Sequence, residues 1–174
     1  MLLKTTKRVP FIAFLVVVFL IISSIPPAEA RRHQAEDSGV QWSLTTPPVN
    51  ETHIFEGEIN RGGKAVGFHS RPGGRDPANA RVCAVTDGPN RRGVYSAQVE
   101  IRKPGGPWLR KRSTFFPDDM NRAEVIQAIL HAYHNRSRED GPKFSGPSGK
   151  GFTIEGYLLP DGRINTAFPL YRRD

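Results

Sequence analysis

FTIEGYLLPDGRINTAFPL (residues 152–170) holds two β-prone runs, 152–159 and 163–170, on either side of Pro160-Asp161-Gly162. Proline presets the φ of a turn, aspartate bonds its own backbone and glycine accepts positive φ, so the runs are expected to form an antiparallel hairpin. Outward from it, HIFEGEI (53–59) and KAVGFHS (64–70) flank Asn60-Arg61-Gly62-Gly63 and predict a second hairpin. VCAV (82–85) and VYSAQVEI (94–101) read as strands separated by the Asp87-Gly88-Pro89-Asn90 turn. One helical signal interrupts them. Asn121 with Glu124 three residues on is a capping-box pattern, and Val125, Ile126, Ile129, Leu130 and Tyr133 recur at helical spacing, which predicts a helix over 121–135. The Gly/Pro-rich stretch 141–149 reads as a loop. The sum is a mostly antiparallel α+β domain with one principal helix, without internal repeat or heptad.

The chain has 174 residues, which suits one modest domain. Hydrophobic residues make up 37%, and part of that share sits in a single N-terminal run, so a multi-domain enzyme and a polytopic membrane protein are excluded. Lys4, Lys7 and Arg8, the apolar run 11–25 and Ala28-Glu29-Ala30 have the order of a secretory signal peptide over 1–30. The run is shorter than the ~20 residues that span hydrocarbon, and a retained signal-anchor is the alternative. Residues 31–51 read as a polar leader that ends in Thr45-Thr46-Pro47-Pro48, with the folded domain over 52–174. Removal of 1–30 leaves 22 basic and 16 acidic residues, a net of +6. That charge favours polyanions without choosing among them. Cys83 is the sole cysteine, which excludes a disulfide scaffold, and it is expected to be a small buried residue.

Of the five histidines, His33 falls in the leader, and His131 and His134 read as polar helix residues without a companion metal ligand. His53 and His69 differ, because they are equidistant from residue 61 inside the predicted turn. Residues opposite each other in an antiparallel hairpin are neighbours, so the two imidazoles are expected on one face, with Gly57 and Gly67 leaving room beside them. Phe55 and Ile59 share that face, while Glu56 and Glu58 alternate away from it. A pair of imidazoles suits RNA cleavage without a metal. One removes the 2′-hydroxyl proton and the other protonates the leaving 5′-oxygen. A cation must then meet the charge that develops on phosphorus; Lys111 is available in the basic run before the helix, and nothing in the residues alone selects it over Arg110, Arg112 or Lys150.

HIFEGEINRGGKAVGFHS (53–70), KRSTFFPDDMNRAEVIQAI (111–129) and DGRINTAFP (161–169) together resemble the bacterial EndoU-type endoribonucleases, which supply toxins of contact-dependent inhibition and related polymorphic systems. The last hairpin is also similar to the end of the coronaviral uridylate-specific endoribonuclease. The resemblance implies a compact α+β fold of the barnase/EndoU/RelE-like kind. It places the catalytic residues on His53, His69 and Lys111, and substrate contacts on Ser113, Thr114, Thr166 and Phe168. Where many relatives carry tyrosine this chain has Phe168, which keeps a stacking ring and loses a hydroxyl. It further implies RNA as substrate (tRNA among the targets), 2′,3′-cyclic phosphate ends, a monomer, no required cofactor with Mn²⁺ stimulation left open, and an acidic immunity or inhibitor protein as partner. After signal cleavage the protein is expected to be secreted, free of the membrane, and to act against competing cells. Two other readings compete. A non-catalytic basic module that binds nucleic acid or acidic polysaccharide explains the charge but not the placement of the histidines. A metal-dependent nuclease lacks an acidic ligand cluster.

Overall fold

The computed structural model describes residues 39–137 and 141–174. The signal-peptide reading, His33 and residues 31–38 of the leader lie outside the described residues.

The helix α1 spans Arg122–His134 and begins with the expected capping box. The Asn121 side chain accepts from the Glu124 amide at 3.0 Å, and the Glu124 carboxylate accepts from the Asn121 amide at 2.9 Å. Asn121→Ala removes one half of this exchange and is expected to cost about 1 kcal/mol. The check is a lower denaturant midpoint at unchanged m-value.

Among the described residues the strands form three antiparallel sheets, and with one principal helix the fold is α+β as expected. β1 (Glu58–Ile59) pairs with β2 (Ala65–Val66). β3 (Ala80–Asp87), β4 (Tyr95–Ile101) and β5 (Leu109–Phe115) form the second sheet in that order. β6 (Lys143–Pro147), β7 (Thr153–Leu158) and β8 (Ile164–Pro169) form the third, and β7–β8 is the hairpin quoted at the outset. Two apolar clusters hold these layers. Val125, Ile126, Ile129 and Leu130 of α1 pack with Phe144, Ile154, Ile164 and Ala167 of the third sheet. Tyr95, Ala97, Val99 and Ile101 of β4 pack with Phe68 and Phe115.

Four expectations change. β5 occupies the basic run that was read as a lead-in to the helix, and β6 occupies part of the Gly/Pro-rich stretch read as a loop. Cys83 is exposed rather than buried, because β3 is an edge strand whose residues 83–86 face solvent. The leader contributes to the fold at its end. Val49 is fully buried and bridges to Ile164, extending the third sheet, and Asn50 donates its amide to the Ile164 carbonyl at 3.0 Å.

Candidate active site

The first hairpin departs most from expectation, and the departure builds the site. Thr52–Glu56 is a π-helical turn, so only Glu58↔Val66 and Ile59↔Ala65 pair as strands. His53 lies on that turn, not opposite His69 in a ladder. The returning chain is instead folded onto the turn by two consecutive left-handed residues, Gly67 at φ 76° and Phe68 at φ 59°. This conformation is unusual for a bulky side chain and marks stored strain. It lets the Phe68 amide donate to the His53 carbonyl and the His69 amide to the Ile54 carbonyl, both at 2.7 Å. The imidazoles become neighbours by this route, with ring centroids 6.1 Å apart.

The two glycines expected to leave room for a ligand do something else. A Cβ on Gly67 would stand 2.2 Å from the His53 carbonyl oxygen, and one on Gly57 would stand 2.6 Å from Ile101 Cδ1. Both admit close packing of the backbone, not a ligand. Glu58 also changes place. It was expected to point away from the histidines, but the turn rotates His53 so that its Nδ1 lies 2.7 Å from Glu58 Oε1.

β5 brings the remaining groups. Its alternation turns Lys111 and Ser113 to one side and Arg110, Arg112 and Thr114 to the other. Lys111 Nζ donates to the Gly67 carbonyl at 2.6 Å and to Ser113 Oγ at 3.3 Å, which leaves one of its three N–H groups uncommitted. Ser113 Oγ donates to the Phe68 carbonyl at 2.7 Å and lies 2.9 Å from His69 Nδ1. With its one hydrogen given to Phe68, that hydroxyl accepts from both His69 and Lys111, so the buried Ser113 links three site groups and has no capacity left for substrate. Thr114 takes part through its backbone, its carbonyl standing 3.0 Å from His69 Nδ1. Phe168, half-buried on β8, lies with its ring 5.3 Å from that of His69. Thr166 is two residues earlier on β8, which puts it on the same face as Phe168, and it makes no side-chain hydrogen bond to a described residue.

His53 and His69 are only 6% and 7% exposed, so charges here act through little water. Burial, then the charges of Lys111 and His53, push the His69 pKa well below 6.5 against the opposing Thr114 carbonyl. Burial alone brings Lys111 down to about 8. Because Ser113 and Thr114 both present oxygen acceptors, the His69 proton is assigned to Nδ1 and the lone pair to Nε2. Among the described residues no group of three or more His, Cys, Asp or Glu side chains is placed to hold a metal ion.

The bacterial EndoU nuclease family model matches residues 49–171. The chain belongs to the bacterial EndoU nuclease family. The matched span of this EndoU nuclease starts at Val49, where the leader enters the core, and contains every residue of the site just described. The chain is also 34% identical over 132 residues to a Bacillus cereus protein named "Toxin", a match that covers 76% of this chain and 24% of that protein. The EndoU nuclease therefore spans about a quarter of the relative's length. No solved structure matches it.

Glu58 is the one site residue that sequence reading missed. Its signal was a carboxylate five residues after His53, hidden because a period-2 reading sends residues 53 and 58 to opposite faces.

Proposed function

We propose that this EndoU nuclease is a secreted endoribonuclease that cleaves single-stranded RNA by attack of the 2′-oxygen on the adjacent phosphate. The new O2′–P bond forms as the P–O5′ bond breaks, which leaves a 2′,3′-cyclic phosphate and a 5′-hydroxyl. His69 is the base: it is neutral near pH 7, and its bare Nε2 takes the 2′-hydroxyl proton. His53 is the acid: Glu58 holds its Nδ1–H, and its Nε2–H protonates the leaving 5′-oxygen. Lys111 turns its uncommitted N–H to the oxygens of the pentacoordinate phosphorus. Phe168 offers a ring for base stacking, and Thr166 on the same strand face is the second contact on that side. The observation that carries the reading is the pair of rings 6.1 Å apart, with the Glu58 carboxylate on His53 and the Lys111 charge acting on His69.

The pH–rate profile, taken with chelator and then with added Mn²⁺, tests it. No metal enters the proposed steps, so the rate is expected to persist in chelator, and the Mn²⁺ arm reads any stimulation. The base must be neutral, which holds above its lowered pKa, so the acid limb falls well below pH 6.5. His53, as the acid, and Lys111 must both be charged; the Lys111 condition fails above about 8 and adds its own alkaline component to the decline in kcat/KM. Lys111→Arg keeps the charge and removes that alkaline component. An acid limb at pH 6.5 or above contradicts the buried neutral His69.

The toxin role is part of the same proposal. It rests on the relative's name and on the signal-peptide reading, since export separates an RNase from the producing cell's RNA. An acidic immunity protein over the basic domain is the partner this role calls for.

A further inference from the structure

A cavity of about 570 Å³ opens at the end of β8, beyond Phe168, and the proton-transfer scheme makes no use of it. Asn90, Arg92, Gly151, Leu170, Arg172 and Arg173 line it. The Arg92 and Arg172 guanidiniums have no ion-pair or hydrogen-bond partner among the described residues, whereas those on the outward face of β5 are already committed. Arg110 pairs with Glu100, and Arg112 pairs with Asp87. Arg173 shares that Asp87 at 3.6 Å, and Asp174 supplies the one side-chain carboxylate in the lining, which accepts from the Arg91 amide at 2.5 Å. The lining side chains thus carry a net positive charge.

It is also built. The Asn90 amide donates to the Arg172 carbonyl at 2.8 Å, and its oxygen accepts from the Arg92 amide at 3.0 Å, so one side chain fixes both arginine-bearing segments. Arg92 lies flat against Gly151, where a Cβ would stand 2.8 Å from Cζ. Leu170 continues the sheet by donating to the Thr153 carbonyl at 2.9 Å. Arg172 is four residues past Phe168, at most ~14 Å along an extended chain, within reach of the next few nucleotides of a strand whose base stacks on that ring.

We propose that this cavity is a phosphate-binding subsite for the RNA strand flanking the cleaved bond, with Arg92 and Arg172 each taking one backbone phosphate. The proposal rests on the nuclease reading for the identity of the strand, and direct binding tests it apart from catalysis. The ligand is a labelled ten-nucleotide RNA with one 2′-deoxy residue to block cleavage. The variant is Arg92→Gln/Arg172→Gln, both surface changes. The double variant is expected to bind at least tenfold more weakly, and the slope of log K against log salt is expected to shrink by about 1.4, or 0.7 per lost phosphate. In cleavage it should raise KM on a ten-nucleotide substrate and leave a dinucleoside monophosphate unaffected. Unchanged affinity and slope overturn the subsite, as does an equal loss on the dinucleoside. Variant-sensitive binding by a protein that cuts no RNA would retain the subsite and overturn the nuclease reading instead. Normal RNA binding by the variant with lost binding of an acidic inhibitor protein would reassign the cavity to that partner, against the proposal.

Discussion

Replacing His69 by alanine is expected to lower kcat/KM on RNA by roughly 10²–10⁴-fold, the range for removal of a general base. His53→Ala should fall in the same range. The double variant should be little worse than either alone, because acid and base act in one step and their effects do not add. Affinity for an uncleavable RNA should change much less than rate. The stability cost should be modest, since His69→Ala strips one partner from the Thr114 carbonyl and from Ser113, a loss of about 1–3 kcal/mol. Single-turnover cleavage and equilibrium unfolding, measured on the same preparations, separate the two effects. A rate loss no larger than the unfolded fraction would assign the imidazoles a structural role.

The second large effect concerns a residue that bears no functional group. Gly67→Ala places a methyl 2.2 Å from the His53 carbonyl oxygen at a backbone φ of 76°. Ala resists that conformation, and the contact cannot be relieved without breaking the bond from the Phe68 amide to the same carbonyl. The expected destabilisation is about 3 kcal/mol, with activity lost even where the fold survives, because the turn that brings His53 beside His69 opens. Gly63→Ala is the matched control. Its φ is 73°, but nothing lies within 4 Å of the new Cβ, so only the backbone strain remains, about 1 kcal/mol. Thermal or denaturant unfolding of the two variants side by side checks the difference. Equal costs would mean that the close approach at Gly67 contributes nothing.

The parts of the fold that were legible in the sequence are those whose local chemistry agrees with their tertiary role. The Asn121/Glu124 cap, the apolar stripe from Val125 to Leu130 and the turn at Pro160-Asp161-Gly162 each carry a backbone reason independent of the rest of the chain. β5 was hidden because its inward positions are Leu109, Lys111, Ser113 and Phe115, so the period-2 pattern is interrupted where the strand faces the site. β6 was hidden by Gly146 and Pro147 in a short strand. The histidine pair was legible as a pair for a reason that did not survive. Equal spacing from a turn suggested cross-strand neighbours, whereas a π-helical turn and two left-handed residues bring the rings together. That same turn moved Glu58 beside His53, and no periodicity argument anticipates such a rotation.

At Lys111 one set of contacts serves both the site and the fold. Its charge is held where water is scarce, so its pKa falls to about 8, and folding tolerates this because the Gly67 and Ser113 oxygens accept from it. The same two contacts fix the ammonium beside His69, whose neutral state it favours. A single arrangement therefore orients the ammonium, favours the neutral imidazole of His69 and secures the strained turn.

The most direct test of proton transfer between two imidazoles is a single 2′-deoxy substitution at the cleaved nucleotide of an otherwise all-ribose RNA. Without the 2′-hydroxyl there is no nucleophile and no proton for His69 to remove, so the account predicts that cleavage at that bond is abolished while neighbouring all-ribose sites are cut as before. Cleavage of the deoxy-substituted bond at an undiminished rate would contradict it.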